Sequence, residues 1–326
     1  MSTLRAARHL SHRWTCLQCR HFSASPRILA EAPPADIKKL GVIGAGQMGL
    51  GIALVAARAA QVPVTVVDSS QQSLDKGLAF ADKLLAKDVS KQKLSQPDAD
   101  AARARLTPTT HIDHLSDADM IIEAVPEVVS LKQSIFASLA HVAPPHAILA
   151  TNTSSISITL IARATCPAHN PTDLSAASRV ISTHFMNPVP FQKGVEIISG
   201  LQTSPATLAT ALHFCKRMGK IPSQSADSPG FLANRILMPY INEAIICLET
   251  GVGREEDIDA IMKNGTNVPM GPLALADFVG LDTCLAIMEV LHSQLGDSKY
   301  RPAVRLRQMV DAGWLGKKSG KGFYDY

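Results

Sequence analysis

The amino-acid sequence predicts an α/β fold, a doubly wound and mostly parallel sheet followed by a smaller all-α domain. Three observations carry the prediction. Short apolar runs alternate with longer amphipathic stretches between residues 40 and 198, the mark of strands linked by crossover helices. A glycine-rich turn, Gly44-Ala45-Gly46-Gln47-Met48-Gly49, joins the first apolar run to the first amphipathic stretch. From Gly230 onward the apolar residues recur at helical spacing.

The elements follow in order. Leu40–Ile43 reads as a strand, Gln47–Ala60 as an Ala-rich helix, Val64–Asp68 as a second strand, and Gln71 to about Lys93 as a long helical region. Met120–Ile122 and Ala147–Ala150 read as buried strands, with a helix over Val128–Val142 between them. Val180–Phe185 and Val195–Ile198 read as further strands, and the character of the chain changes near Ile221–Pro229. Beyond it Leu237, Ile241, Ile245 and Leu248 form one apolar stripe, with Gly251 and Gly253 as stop signals. Helices are expected over Arg254–Lys263, Leu281–Leu295 and Ala303–Ala312. The chain thus divides into a leader (1–35), a sheet domain (36–226) and a helical domain (227–326).

The leader is set apart by charge. Residues 1–35 hold Arg5, Arg8, Arg13, Arg20 and Arg27 against one acid, Glu31, leaving 27 basic and 27 acidic residues in the remainder. The formal charge of +4 therefore belongs to the leader, and nothing in the body argues for a nucleic-acid partner. An Arg-, Ser- and Ala-rich, acid-poor N-terminus predicts a mitochondrial transit peptide and a matrix location. Arg20-His21-Phe22-Ser23-Ala24-Ser25 resembles a two-step processing pattern, with cuts after His21 and Leu29; the alternative is a disordered basic extension. No apolar run reaches the roughly 18 residues of a membrane-spanning helix. Of six cysteines, Cys16 and Cys19 fall in the leader. Cys166, Cys215, Cys247 and Cys284 have no metal-site spacing, so they read as small apolar residues and no metal is predicted.

The string Gly44–Gly49 fits G-x-G-x-x-G. Alone it is weak, but here it follows a strand, opens a helix, and is answered by an acid, Asp68, where the next strand ends. That combination predicts a Rossmann-type dinucleotide site. Gly44 allows the tight turn, Gly46 lets the backbone approach a pyrophosphate, and Gly49 permits close helix–strand packing. Gln47 and Met48 open the helix whose N-terminus faces the phosphates. An aspartate at position 68 accepts hydrogen bonds from ribose hydroxyls and repels a 2′-phosphate, and Ser69-Ser70-Gln71 brings no arginine. The predicted cofactor is NAD.

The densest chemistry lies at Ser182-Thr183-His184-Phe185-Met186-Asn187-Pro188-Val189-Pro190, with Glu196 twelve residues beyond His184. A hydroxyl that loses hydride must also lose its proton, and histidine titrates near neutrality. A carboxylate on the other ring nitrogen would fix its tautomer. Two neighbouring strands would let His184 and Glu196 meet.

Taken together, the strings GAGQMG (44–49), EAVPE (123–127), NTSS (152–155), HFMNPVP (184–190), DSPGFLANR (227–235), PMGP (269–272) and GKKSGKGFYDY (316–326) resemble the NAD-dependent 3-hydroxyacyl-CoA dehydrogenases and their 3-hydroxybutyryl-CoA relatives, from about Leu40 to Tyr326. The resemblance implies oxidation of an (S)-3-hydroxyacyl-CoA to the 3-ketoacyl-CoA, with His184 as base and Glu196 as its orienting partner. It implies that Ser154 and Asn234 hydrogen-bond the reacting oxygen, and that Glu127, Lys132, Ser154, Asn187 and Lys318 approach NAD. The apolar helical domain is also a natural dimer surface, and a homodimer is expected. Read without the family, Ser154 could equally be a helix N-cap before Ile156–Ala162, and Asn234 a polar packing residue. Two departures stand out. The segment from about Cys166 to Ala177 is longer than the family's connection and is expected to be a surface loop. Where the family places a serine and a lysine against coenzyme A, this chain offers Ala81, with Lys83 and Lys87 nearby. The rival functions are a sugar-acid (gulonate-type) dehydrogenase and a non-catalytic NAD-binding relative.

Overall fold

The computed structural model describes residues 34–326; the leader, its processing pattern, and Cys16 and Cys19 lie outside the described residues. Eight strands form one sheet in the order β3-β2-β1-β4-β5-β6-β7-β8. They are β1 (Leu40–Ile43), β2 (Val64–Val67), β3 (Leu106–Thr109), β4 (Met120–Glu123), β5 (Ile148–Thr151), β6 (Val180–Phe185), β7 (Gly194–Ser199) and β8 (Ile221–Ala226). The first six are parallel, β7 runs antiparallel to β6, and β8 is parallel to β7. The predicted doubly wound sheet is therefore present, with two strands turned about at one edge.

Period-two alternation sends neighbouring residues of one strand into different cores. Met120 and Ile122 join the cluster under α1 (Gln47–Val55), α2 (Gln71–Ser90), α3 (Gln96–Ala104) and α6 (Pro205–Arg217), whereas Ile121 joins the one under α4 (Val129–Val142) and α5 (Ile158–Arg163). Burial of both faces is what a parallel sheet requires, and it explains the continuous apolar runs. Each such side chain contributes about 1.5–3 kcal/mol relative to exposure.

Several elements depart from the sequence expectation, among them the unpredicted helices α3, α6 and one over Pro272–Val279. The helix expected over Gln47–Ala60 is α-helical only to Val55; Ala56–Ala60 widens into a π turn, which ends at Gln61 in the left-handed region (φ 56°). β3 was not expected because Pro108 and two threonines mask its pattern. β8 is polar and mostly exposed, as an edge strand carrying Pro222 can be. The segment from Cys166 to Ala176 is a largely exposed run of turns, the surface loop expected. It is closed by Arg179, which donates to the carbonyls of Pro144 and Ala147.

After β8 come only helices: α7 (Ala233–Glu249), α8 (Glu255–Gly265), α9 (Pro272–Val279), α10 (Leu281–Leu295) and α11 (Val304–Asp311), with short 3-10 turns. Met238, Ile241, Ile245, Leu273, Leu281, Met288, Leu291 and Leu306 form their core. Ile241 and Ile245 of the predicted stripe are central to it, while Leu237 and Leu248 lie at its margin. Cys215 and Cys284 are buried, and burial pushes both thiols up to about 12. Among the described residues, no helix is long and apolar enough to cross a membrane.

Candidate active site

The carboxyl ends of the parallel strands carry the glycine turn, Asp68, Glu123 and the turn with Ser154. At the β1–α1 turn a Cβ on Gly49 would lie 1.8 Å from the Gly44 carbonyl oxygen, so only glycine lets helix and strand close up. A Cβ on Gly46 would meet nothing within 4 Å; its open side faces a cleft of about 730 Å³. No side chain caps the N-terminus of α1, so its free N–H groups and partial positive charge remain available to an anion. Gly44 to Met48, Asp68, Ser73, Lys76 and Phe80 line that cleft. Asp68 is fixed by the Ala45 N–H (2.8 Å) and the Ser70 N–H (3.0 Å). A bare carboxylate at this edge suits ribose hydroxyls and opposes a third phosphate, as expected for NAD. Lys76 was missed at the level of sequence; its spacing of three from Ser73 on α2 was the available signal.

Beside the cleft, β4 ends in Glu123, whose buried carboxylate accepts from Val125 N, Thr151 Oγ1 and Lys132 Nζ, each at 2.7 Å. Lys132 has no exposed surface and lies 3.5 Å from Glu127 Oε2. Its ammonium is enclosed between these two carboxylates. Glu127 Oε1 in turn accepts from Thr153 Oγ1 (2.5 Å), Ser154 N (2.9 Å), Ser155 N (3.0 Å) and Ser155 Oγ (3.1 Å). Burial pushes the Glu127 carboxyl up, but Lys132 and these donors outweigh it and hold it below its ordinary value.

The turn so held carries Ser154. Its Oγ lies 3.1 Å from His184 Nε2, and His184 Nδ1 lies 2.8 Å from Glu196 Oε2. The two strands supply the second contact directly, since His184 and Glu196 are paired across the β6–β7 ladder. Glu196 Oε1 accepts from Leu232 N and Ala233 N, both at 2.8 Å, at the start of α7. A carboxylate there also favours the helix dipole. Burial pushes Glu196 up, yet His184 and those two N–H groups hold it below its ordinary value. Asn234, one residue into α7, donates from Nδ2 to the Ser154 carbonyl at 3.3 Å, and Phe231 meets the imidazole edge-on with centroids 6.0 Å apart. Four residues distant in sequence, Ser154, His184, Glu196 and Asn234, are thus one hydrogen-bonded group.

Ser154 is not a helix cap. Ser157 Oγ caps α5, and Asp227 accepts from Ile158 N and Thr159 N, which leaves the Ser154 hydroxyl free for His184. Asn187 Oδ1 accepts from Gln47 Nε2 at 3.3 Å, tying the turn after β6 to the nucleotide loop. Lys318 is not brought to the cleft: it pairs with Asp282 at 2.5 Å beside Gly280 in the helical domain. Lys83 and Lys87 lie exposed on α2, one and two turns beyond Phe80 and on its face of the helix.

Comparison with known proteins agrees with this geometry. A model of the 3-hydroxyacyl-CoA dehydrogenase NAD-binding domain matches residues 39–228, and one of the C-terminal domain of the same family matches 230–326. A probable 3-hydroxybutyryl-CoA dehydrogenase of Bacillus subtilis is 49% identical over 291 residues, 89% of this chain and 98% of its own length. A probable 3-hydroxyacyl-CoA dehydrogenase of Caenorhabditis elegans is 40% identical over 304 residues, covering 90% of this chain and 94% of the relative. The crystal structure of an (S)-3-hydroxybutyryl-CoA dehydrogenase from Ralstonia eutropha superposes with a TM-score of 0.84 at 45% identity, over 89% of this chain and 99% of that one. The glycine turn with its aspartate, the two matched domains and these relatives place the chain in the 3-hydroxyacyl-CoA dehydrogenase family, as an NAD-dependent oxidoreductase acting on CH–OH groups.

Proposed function

We propose that the chain interconverts (S)-3-hydroxyacyl-CoA and 3-ketoacyl-CoA thioesters, with the four-carbon pair 3-hydroxybutyryl-CoA and acetoacetyl-CoA among its substrates. The observation that carries this reading is the line Ser154–His184–Glu196 beside a nucleotide cleft; the names of the relatives supply the thioester. NAD, held at Gly44–Gly49 and Asp68, supplies the hydride acceptor when bound. The protein's own task is the proton. Glu196 accepts from Nδ1, so Nε2 is left as the basic nitrogen, facing Ser154. In the oxidative direction Nε2 takes the proton of the substrate hydroxyl, and Glu196 balances the resulting imidazolium. The Ser154 hydroxyl and the Asn234 amide donate to the oxygen on which charge develops. In the reductive direction the same imidazolium returns its proton to that oxygen.

The coenzyme A moiety is assigned to the face of α2 that carries Lys76, Phe80, Lys83 and Lys87. Residues three or four apart on a helix share a face, and Lys76 and Phe80 already line the cleft. We assign a homodimer to the helical domain, where an apolar cavity of about 530 Å³ opens between α7 and α8, lined by Tyr240, Ala244, Val252, Ile258 and Ile261. Val252 and Ile261 are left exposed there. The acid-poor leader supports the mitochondrial matrix as location, and the N-terminal residue of the chain recovered from mitochondria tests it.

The experiment follows NADH consumption by the purified chain with acetoacetyl-CoA. Turnover is expected, from a particle of twice the 34.8 kDa chain mass by light scattering. NADH binding without turnover of any 3-ketoacyl-CoA would remove the thioester assignment, and a monomeric mass would remove the dimer.

A further inference from the structure

We propose that Lys220 is a positioning residue for the cofactor: its ammonium closes the turn after β6, and so sets Asn187 at the nicotinamide end of the nucleotide cleft. The inference rests on the reaction proposed above, with NAD as the hydride acceptor.

Lys220 immediately precedes β8 and is 8% exposed. A buried charge is ordinarily paired with an opposite one. This ammonium meets main chain instead: Nζ donates to Val189 O at 2.5 Å and to Gln192 O at 2.8 Å. Within the turn, Phe191 N and Gln192 N both donate to Pro188 O at 3.0 Å. Val189 O and Gln192 O receive no backbone N–H among the described residues, so the lysine is what fastens them. Bonds from a charged donor are stronger than neutral ones, and two from one enclosed group hold the turn at both corners. Val189 is buried against α1, where a Cβ on Gly51 would come within 2.9 Å of it. The turn is thus held from two sides.

What the turn carries is Asn187. The hydride leaves the carbon whose hydroxyl proton goes to His184 Nε2, so the accepting end of NAD must come close to His184. The phosphates belong at the β1–α1 turn. Asn187 links these two points: it follows His184 by three residues, and its Oδ1 accepts from Gln47 Nε2 of the phosphate turn at 3.3 Å. With Oδ1 so engaged, the Asn187 NH₂ is left as the donor for the cofactor. Lys220 is not among the residues that line the cleft of the glycine turn and Asp68, so its effect passes through residues 187–192.

A lysine that only braced the fold would act on the whole cofactor alike. ADP-ribose carries the adenosine, both phosphates and the second ribose but no nicotinamide, so its affinity relative to NADH isolates the nicotinamide end. Calorimetry gives both dissociation constants for the parent, Lys220→Met, Asn187→Ala and the double variant. In Lys220→Met the Kd for NADH is expected to rise about tenfold and that for ADP-ribose to stay within about twofold, the scale of one lost hydrogen bond. Asn187→Ala is expected to show the same selective loss. Because the two residues act as one unit, the double variant is expected to lose no more than the weaker-binding single variant.

A parental ratio in Lys220→Met beside a shifted one in Asn187→Ala overturns the proposal alone. Equal losses of NADH and ADP-ribose make Lys220 a brace, and losses that multiply in the double variant mean that it acts elsewhere; both overturn the proposal. An unchanged ratio in Asn187→Ala overturns it together with the placement of Asn187. If Lys220→Met does not fold, Lys220→Gln, which retains a donor of shorter reach, decides by the same ratio. None of these measurements needs turnover. Failure of the parent chain to reduce acetoacetyl-CoA would therefore remove the thioester reading and leave the test of Lys220 standing.

Discussion

Replacing His184 with alanine is expected to lower kcat for acetoacetyl-CoA reduction by about a thousandfold, within the range of roughly 10²–10⁴ that a positioned acid–base group supplies. NADH affinity is expected to stay within about twofold, because the nucleotide cleft is built from the β1–α1 turn, Asp68 and α2 and does not include His184. The fold should survive as well. Glu196 retains the N–H groups of Leu232 and Ala233 when the imidazole is gone, so its buried carboxylate is not orphaned. Ser154 keeps its backbone anchor on Glu127. Steady-state rates beside NADH fluorescence titration separate these effects. A loss of less than tenfold would mean that the proton travels by another route, and a parallel loss of NADH binding would mean that His184 supports the cleft itself.

What the sequence made legible follows from the range over which each signal acts. The β1–α1 turn, Asp68 and the strands flanking them are local patterns, and they appear in the structure where they were expected. The His184–Glu196 contact was also open to reading, because two adjacent antiparallel strands must bring some residue of one opposite a residue of the other. What periodicity could not supply was the other end of each bond. Nothing local says that Glu196 receives the first N–H groups of α7, 36 and 37 residues away. Nor does anything local say that Lys132 is enclosed and unable to face solvent; its pattern on α4 is that of any surface lysine. Lys318 illustrates the same limit, since its partner Asp282 belongs to a separate helix.

The strings that carried the family resemblance divide on the structure into chemistry and architecture. Asp227 of DSPGFLANR caps α5 through Ile158 N and Thr159 N, and Asn234 of the same string reaches Ser154. Between them Gly230 (φ 77°) and Phe231 (φ 50°) turn through the left-handed region, which aims the start of α7 at Glu196. GKKSGKGFYDY is held by Asp277, which accepts from Phe323 N, Tyr324 N and the Tyr326 hydroxyl. A Cβ on Gly322 would sit 1.9 Å from that carboxylate. PMGP runs into the start of α9, where Asp259 accepts from Leu273 N and Ala274 N. Much of what marks the family at its C-terminal end is therefore the closing of the helical domain. The reacting groups are few, and they sit where the two domains are stitched together by Asn234, Asp227 and Glu196.

Glu196 is the residue in which those two roles coincide, and Glu196→Gln is expected to expose both. Glutamine offers one carbonyl oxygen and one amide, where the carboxylate offers two acceptors. If its oxygen stays on Leu232 N and Ala233 N, its NH₂ faces His184 Nδ1 and drives the ring proton to Nε2, the nitrogen that must receive the substrate proton. If the oxygen turns to Nδ1, two N–H groups of α7 face an amide donor. Either way kcat is expected to fall about a thousandfold, short of the roughly 10⁴ lost when an aspartate is neutralised in a histidine-containing triad, with KM for acetoacetyl-CoA little changed. The stability effect carries a sign. The folded protein holds the Glu196 carboxyl below its ordinary value, so the native charge adds stability that is complete above the ordinary carboxylate range. That stability is lost as pH falls through the lower folded value. The Tm gap between the parent and Glu196→Gln is therefore expected to be widest at neutral pH and to narrow as the buffer is acidified. A gap that stays constant from neutral to acidic pH would show that α7 does not depend on the charge of Glu196. The kinetic loss would then report the imidazole alone.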